Sequence, residues 1–220
     1  MTILALEFSS DHRSVAVVSG LSETRTVRSV VSENGARASD AFALITAALG
    51  EAKLAREDVE CVAVGLGPGS YMGIRVAIAL AQGWQLARPI KLLGLSSAHA
   101  VAAQAREEGR RGRVHVAINA QRHEVYLAEY EIKEGEVTEV QPLRLAPMTE
   151  AQSLAAGNQV VIGPDAEQWC KLGRTVFPSA KHLALLAASR SDFVAGEILE
   201  PIYLRPVSFV KAPPPRRLHL

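Results

Sequence analysis

The chain has 220 residues, a formal net charge of +1, 48% hydrophobic and 5% aromatic residues. This length suits one large domain or two small ones, and the near-neutral charge removes any bulk electrostatic argument for nucleic acid or membrane binding, leaving only local basic patches. Cys61 and Cys170 stand outside any CxxC pair and are expected as free thiols in a reducing cytoplasm; the N-terminus lacks a basic n-region and no apolar run reaches the roughly 18 residues of a span, so neither a signal peptide nor a membrane helix is expected.

In chain order, Ile3 to Phe8 reads as a strand, followed by a turn at Ser9-Ser10-Asp11-His12. Ser14 to Val18 and Thr24 to Val31 complete a meander of hairpin-connected strands. Glu7, a carboxylate beside a Ser-Ser turn, is either a ligand contact or a strand-end residue in water. Ser39 is the expected N-cap of a first helix, in which Phe42, Ile45, Ala48 and Leu49 recur on one face.

The stretch from Val62 to Trp84 then reads as a buried strand, a glycine-rich turn and a helix. Gly65, Gly67, Gly69 and Gly73 surround Pro68, and Ser70 is the expected cap of a helix running to about Ala87. A strand delivering such a loop to a helix N-terminus leaves backbone N–H groups outward, which suits an anion or the close approach of another chain. The loop lacks the Lys of a Walker A motif and the third glycine of a Rossmann fingerprint. Three readings stay open: a phosphate cradle, a partner-docking loop, or a sharp turn into a tightly packed helix. The helix carries Val76, Ala77, Ile78, Ala79, Leu80, Ala81 and Leu86, so it is apolar nearly all round and is expected to be buried on every face. Its outer side calls for a second body or for the lobe's own third helix.

Ile90 to Leu95 is a further strand, and Ser96-Ser97 caps a helix over Ala98 to Glu108. Residues 1–108 thus read β-β-β-α-β-α-β-α, a mixed sheet carrying helices. Gly109 to Arg113 is the boundary candidate; Arg110, Arg111 and Arg113 are candidate RNA contacts or simply a solvated linker. The second half restarts with strands at Val114 to Ile118, Val125 to Ile132, and a third ending near Leu145. A helix over Glu150 to Ala156, a strand at Val160 to Ile162, and a helix over Lys181 to Arg190 follow. Residues 109–205 form the second lobe, with its last helix, at about 181–195, expected to pack back on the first. Residues 206–220 are Pro-rich and expected to be flexible. Two such halves facing a cleft would gather Glu7, the Gly67–Gly73 loop, Asn119 and Gly163.

Side-chain chemistry offers no catalytic set. The six histidines include no i, i+4 pair and no HExxH, G-x-S-x-G is absent, and Ser70 is better explained as a cap than as a nucleophile.

Ile3-Leu-Ala-Leu-Glu-Phe-Ser-Ser10, Gly65-x-Gly-Pro-Gly-Ser-Tyr-x-Gly-Ile-Arg75, Ala81-Gln-Gly83, Ala117-Ile-Asn-Ala-Gln-Arg-x-Glu-Val-Tyr126 and Pro201-Ile-Tyr-Leu-Arg205 occur in order. Together they resemble the TsaB (formerly YeaZ) family of tRNA threonylcarbamoyladenosine synthesis, within the glycoprotease-like (peptidase M22-like) group, over nearly the whole chain. The resemblance implies an α/β, two-lobed actin/Hsp70/sugar-kinase-like (ASKHA, ribonuclease H-like) fold. It implies a cytoplasmic, non-catalytic subunit that binds TsaD, the metal-carrying transferase subunit, together with the ATPase TsaE and, through the complex, tRNA. It places a His-x-x-x-His metal pair of TsaD on the helix that corresponds to Ser39–Gly50, which has no histidine here.

The chain departs from the family pattern at Glu7 and Asn119, where the family commonly has Asp, and at Gly163-Pro164-Asp165 in place of Gly-Asp-Gly. It also has Ala38-Ser39 where His-Ser is usual. No cofactor is therefore expected, with nucleotide binding weak or absent. The implied partner surface comprises Phe42, Ile45, Leu49, Tyr71, Met72, Arg75, Ala77, Ile78 and Ala81, and the same face can form a homodimer when the chain is alone. Glu7, Ser9, Gly67, Gly69, Ser70 and Asn119 are candidate cleft or anion contacts. The alternative is a peptidase- or kinase-like ATP-binding enzyme of the same fold.

Overall fold

The computed structural model describes residues 1–20, 24–35 and 40–205. Part of the expected hairpin connection between Val18 and Thr24, the Ala38-Ser39 pair and the Pro-rich end lie outside them. Two five-stranded mixed sheets organise the chain. The first sheet is built from β1 (Ile3–Glu7), β2 (His12–Ser19), β3 (Thr26–Asn34), β4 (Cys61–Gly65) and β5 (Lys91–Leu95), in the order β3-β2-β1-β4-β5. The expected meander is present: β1 pairs antiparallel with β2, with Ile3 opposite Val18, and β2 with β3. β1 and β4 then run parallel, as do β4 and β5, because helices make the crossings.

Both faces of this sheet are covered, so its central strands are continuous apolar runs rather than alternating ones. Leu4 and Leu6 of β1 face one core and Ile3 and Ala5 the other. On the first face lie α1 (Ala41–Ala52) and α2 (Tyr71–Ala87). On the second lie α6 (Ala180–Ala187) and α3 (Ser97–Glu107), packed against each other.

The second sheet has the order β10-β9-β6-β7-β8, from β6 (Gly112–Gln121), β7 (Glu124–Lys133), β8 (Glu136–Pro147), β9 (Val160–Gly163) and β10 (Arg174–Thr175). Its inner face, with Val116, Ala128 and Tyr130, packs on Ala98, Val101 and Ala105 of α3. Its outer face, with Ala117, Val125 and Leu127, is covered by α4 (Met148–Ala156) and flanked by α5 (Ala166–Trp169). The layers therefore run α1/α2, sheet, α3/α6, sheet, α4/α5. Among the described residues no helix is long and apolar enough to cross a membrane.

Several local expectations need correction. The cap of α1 is Asp40, whose carboxylate accepts from Phe42 N and Ala43 N, not Ser39. The last helix ends at Ala187; Val194 then donates to Leu92 O at 3.0 Å and covers the open edge of β5. With four and two residues, α5 and β10 are too short to carry a period from which the sequence predicts them.

Candidate functional site

The glycine loop is shaped by its own neighbours. A Cβ at Gly65 would lie 2.2 Å from Glu7 Oε2, one at Gly69 2.0 Å from Ser9 O, and one at Gly73 1.9 Å from Phe8 O. The glycines thus let the end of β1 lie flat against the loop and the first turn of α2. Ser70 N donates to Ser9 O at 2.6 Å, and Gly73 N donates to Ser70 Oγ, which caps α2 as expected. An anion-binding loop needs outward N–H groups, whereas that of Ser70 is consumed by the chain itself.

Glu7 is fully buried, not in water. Its Oε1 accepts from Ser9 N at 2.8 Å and its Oε2 from Ser97 Oγ at 2.8 Å; Ser97 Oγ in turn accepts from Gly67 N at 3.2 Å. Burial pushes the Glu7 carboxyl above the usual carboxylate range, against the opposing pull of these hydrogen bonds. The structure thus gathers Glu7, Ser9, Gly67, Gly69 and Ser70 into one hydrogen-bonded end of the first sheet. Asn119 turns back on its own strand, where its Oδ1 accepts from Gln121 N at 2.8 Å, and Gly163 packs on Ala117 O.

The basic segment is largely engaged. Arg113 pairs with Glu129 at 2.9 Å, and Arg111 donates to the carbonyls of Arg106 and Arg110. These two side chains make contacts within the chain, while that of Arg113 stays 62% exposed.

The outer face of α1 and α2 is different. The buried sides are Leu44, Ile45, Ala48, Leu49 and Ala52 on α1, and Gly73, Ile74, Ala77, Ile78 and Ala81 on α2. This corrects five of the expected partner contacts: Ile45, Leu49, Ala77, Ile78 and Ala81 pack on the chain's own sheet. Phe42, expected on the same stripe as Ile45 and Ala48, is instead 63% exposed. Nor does α3 cover α2, since it sits on the opposite face of the sheet.

The surface that remains is still apolar. Tyr71 is 52%, Met72 67%, Val76 41% and Leu86 90% exposed. Phe42, Ala79, Leu80, Gly83, Trp84 and Ala87 line a groove of about 700 Å³ between the two helices, rimmed by Arg56, Glu57 and Arg88. Met72, Val76, Ala79 and Gly83 follow i, i+4, i+7, i+11, so the 3.6-residue period was able to single out this stripe. What hid it was the equally apolar opposite face. On the third side of α2, Gln82 Nε2 donates to Gly196 O and Gly196 N donates to Gln85 Oε1, holding a short 3-10 turn in place. Arg75 lies over the Tyr71 ring, 5.3 Å from its centroid.

Among the described residues no group of three or more His, Cys, Asp or Glu side chains is placed to hold a metal ion.

Residues 32–198 match the family described as TsaD: tRNA N6-adenosine threonylcarbamoyltransferase. The tRNA threonylcarbamoyladenosine biosynthesis protein TsaB of Escherichia coli is 32% identical over 166 residues, 67% of this chain and 71% of that protein. The TsaB of Buchnera aphidicola is 34% identical over 130 residues, covering 58% of this chain and 60% of its own length. The solved structure of YeaZ from Pseudomonas aeruginosa superposes with a TM-score of 0.77 at 26% identity, over 92% of this chain and 99% of that one. The chain therefore belongs to the TsaB (YeaZ) family of tRNA threonylcarbamoyladenosine biosynthesis proteins.

Proposed function

We propose that this chain is a non-catalytic subunit in the formation of N6-threonylcarbamoyladenosine on tRNA, and that it acts by docking a TsaD-like subunit on the outer face of α1 and α2. The observation that carries this reading is the exposed apolar stripe. A helix pair already seated on its own sheet has no structural need for Met72, Val76, Phe42 and Leu86 in water, and contiguous apolar surface of this kind marks interaction sites. Small residues at Ala79 and Gly83 let a partner helix approach closely.

Two features support placing the chemistry on the partner. α1 has no histidine where the resemblance puts the metal pair of TsaD. The glycine loop spends the Ser70 N–H and the space beside Gly69 on Ser9, which argues against a phosphate cradle and hence against the kinase-like alternative. A TsaE-like ATPase and tRNA would join through the complex. Both cysteines are buried free thiols, in keeping with a reducing cytoplasm.

The test is co-purification with the cognate TsaD-like subunit, followed by threonylcarbamoylation of unmodified tRNA with and without this chain. Stable association and loss of activity on omission are expected. No association, with TsaE-like protein and nucleotide added, overturns the reading; low-micromolar Mg-ATP binding by the isolated chain would favour the enzyme instead.

A further inference from the structure

Between the two sheets, beside α3 and α6, lies a cavity of about 600 Å³. It includes none of the glycine-loop residues and none of the docking stripe. Its polar lining comes from Arg25 just before β3, His99, Arg106 and Glu107 on α3, Glu136 at the start of β8, His182 on α6, and Ser189 and Arg190 after it.

The charges there are unevenly matched. Arg190 is forked on Asp192, and Glu107 is held by Lys181 and His182. Among the described residues Arg25 and Arg106 have no carboxylate partner, and the lining carboxylate Glu136 has no cationic one, which leaves two guanidinium groups against one carboxylate. Arg106 donates to Gly135 O at 2.7 Å, and Arg25 Nη1 reaches Leu185 O only at 3.4 Å.

Two buried polar atoms of residues in the lining, Arg25 Nε and His99 Nε2, have no hydrogen-bond partner among the described residues. An unpaired buried polar atom is costly, and two such atoms on residues lining one cavity call for a ligand that supplies the missing partners. Arg25 Nε is a donor and asks for an oxygen. Burial pushes the His99 ring below its ordinary pKa, against a raising contact with the Val137 backbone, and so favours the neutral form; with its proton on Nδ1, Nε2 offers a lone pair and asks for an O–H.

We propose that this interlobe cavity binds a small oxyanion carrying a hydroxyl, hydrogen phosphate or a 2-hydroxycarboxylate, with Arg25 and Arg106 on the charged oxygens and His99 accepting from the hydroxyl. The ligand would touch elements packed on both sheets, and so tie the lobes together. Guanidinium forks suit either head group.

The test is calorimetry on the full chain at constant ionic strength, with inorganic phosphate, sulfate, lactate and acetate as probes. Phosphate or lactate is expected to bind saturably at one site. Sulfate and acetate, which match the charge but bring no hydroxyl, bind more weakly. Arg25→Ala and Arg106→Ala each lower the affinity by about tenfold or more, while Arg174→Ala, an exposed position on β10 outside the cavity lining, leaves it unchanged. Should Arg106→Ala fail to fold, Arg106→Lys keeps the stem and removes the fork. Preferential phosphate binding identifies a phosphate source, and preferential lactate binding a hydroxy acid. Absence of saturable binding by any probe, or wild-type affinity in both arginine variants, overturns the proposal and leaves the cavity to water. The measurement needs no partner, so its result is separate from that of the docking test.

Discussion

The outermost helix layers of the two lobes occupy equivalent places and meet water differently. On the first sheet, α1 and α2 have 12 and 17 residues and turn Phe42, Met72, Val76 and Leu86 outward. On the second, α4 and α5 have nine and four, and the exposed positions of α4 are Thr149, Gln152, Ser153 and Ala156. Both pairs bury small apolar residues against their sheet, so the layer position explains the inner faces equally well. Only the first pair keeps a second apolar face. Folding requires one stripe per helix; a second, exposed stripe is the kind of surface that interaction sites use. The sheet ends contrast as well. In the first lobe a buried carboxylate, Glu7, joins β1 to the glycine loop through Ser9 and Ser97, whereas in the second the Asn119 side chain accepts from Gln121 N of its own strand.

The largest expected effect separates the two faces of α2. Ile78→Glu puts a charge into the first core and is expected to destabilise the fold by about 4 kcal/mol or more, read as a collapse of the thermal transition. If Ile78→Glu instead melts like wild type, the assignment of faces is wrong. Next, Gly73→Ala drives a Cβ into Phe8 O and should cost about 2 kcal/mol in denaturant unfolding; an unchanged midpoint would show that β1 and the loop are not held in contact. Val76→Glu, on the outer stripe, should leave stability within about 0.5 kcal/mol and weaken binding of the TsaD-like subunit by about 30-fold. Wild-type affinity in that folded variant would remove the docking face.

A smaller effect concerns Glu7. Its folded-state pKa is raised, so the native state holds a proton that the unfolded chain releases first. Its contribution to stability is therefore present below the unfolded carboxylate pKa of about 4.3 and is lost as pH rises through the folded value. Glu7→Gln should abolish that loss, so the variant gains on wild type as pH increases. Parallel unfolding-versus-pH curves would contradict burial as the governing cause. The smallest effect is expected at Ser153→Glu on α4, with stability within about 0.5 kcal/mol and partner binding unaltered; a loss of binding there would erase the contrast between the lobes.

The strand meander, the Ser70 cap and the alternation of strands and helices were legible because period and turn chemistry are local properties. The site was half legible. Tyr71, Met72 and Phe42 do reach the surface, but Ala77, Ile78 and Ala81 do not, because a helix apolar on both sides gives no hint of which side the sheet takes. Glu7 stayed open between a ligand contact and a strand-end carboxylate in water, because its burial depends on Ser97, ninety residues away in sequence.

By itself the amino-acid sequence determined the kinds of element, their order and the glycine-rich entry into α2, since these follow from side-chain periodicity and from the backbone freedom of glycine. Only the tertiary structure decided which face of α2 meets water, that the loop is filled by Ser9 and Phe8, and that Arg25, His99 and Arg106 share one cavity. Those outcomes arise from packing between segments far apart in the chain, and no local pattern encodes the direction from which a distant strand or helix will arrive.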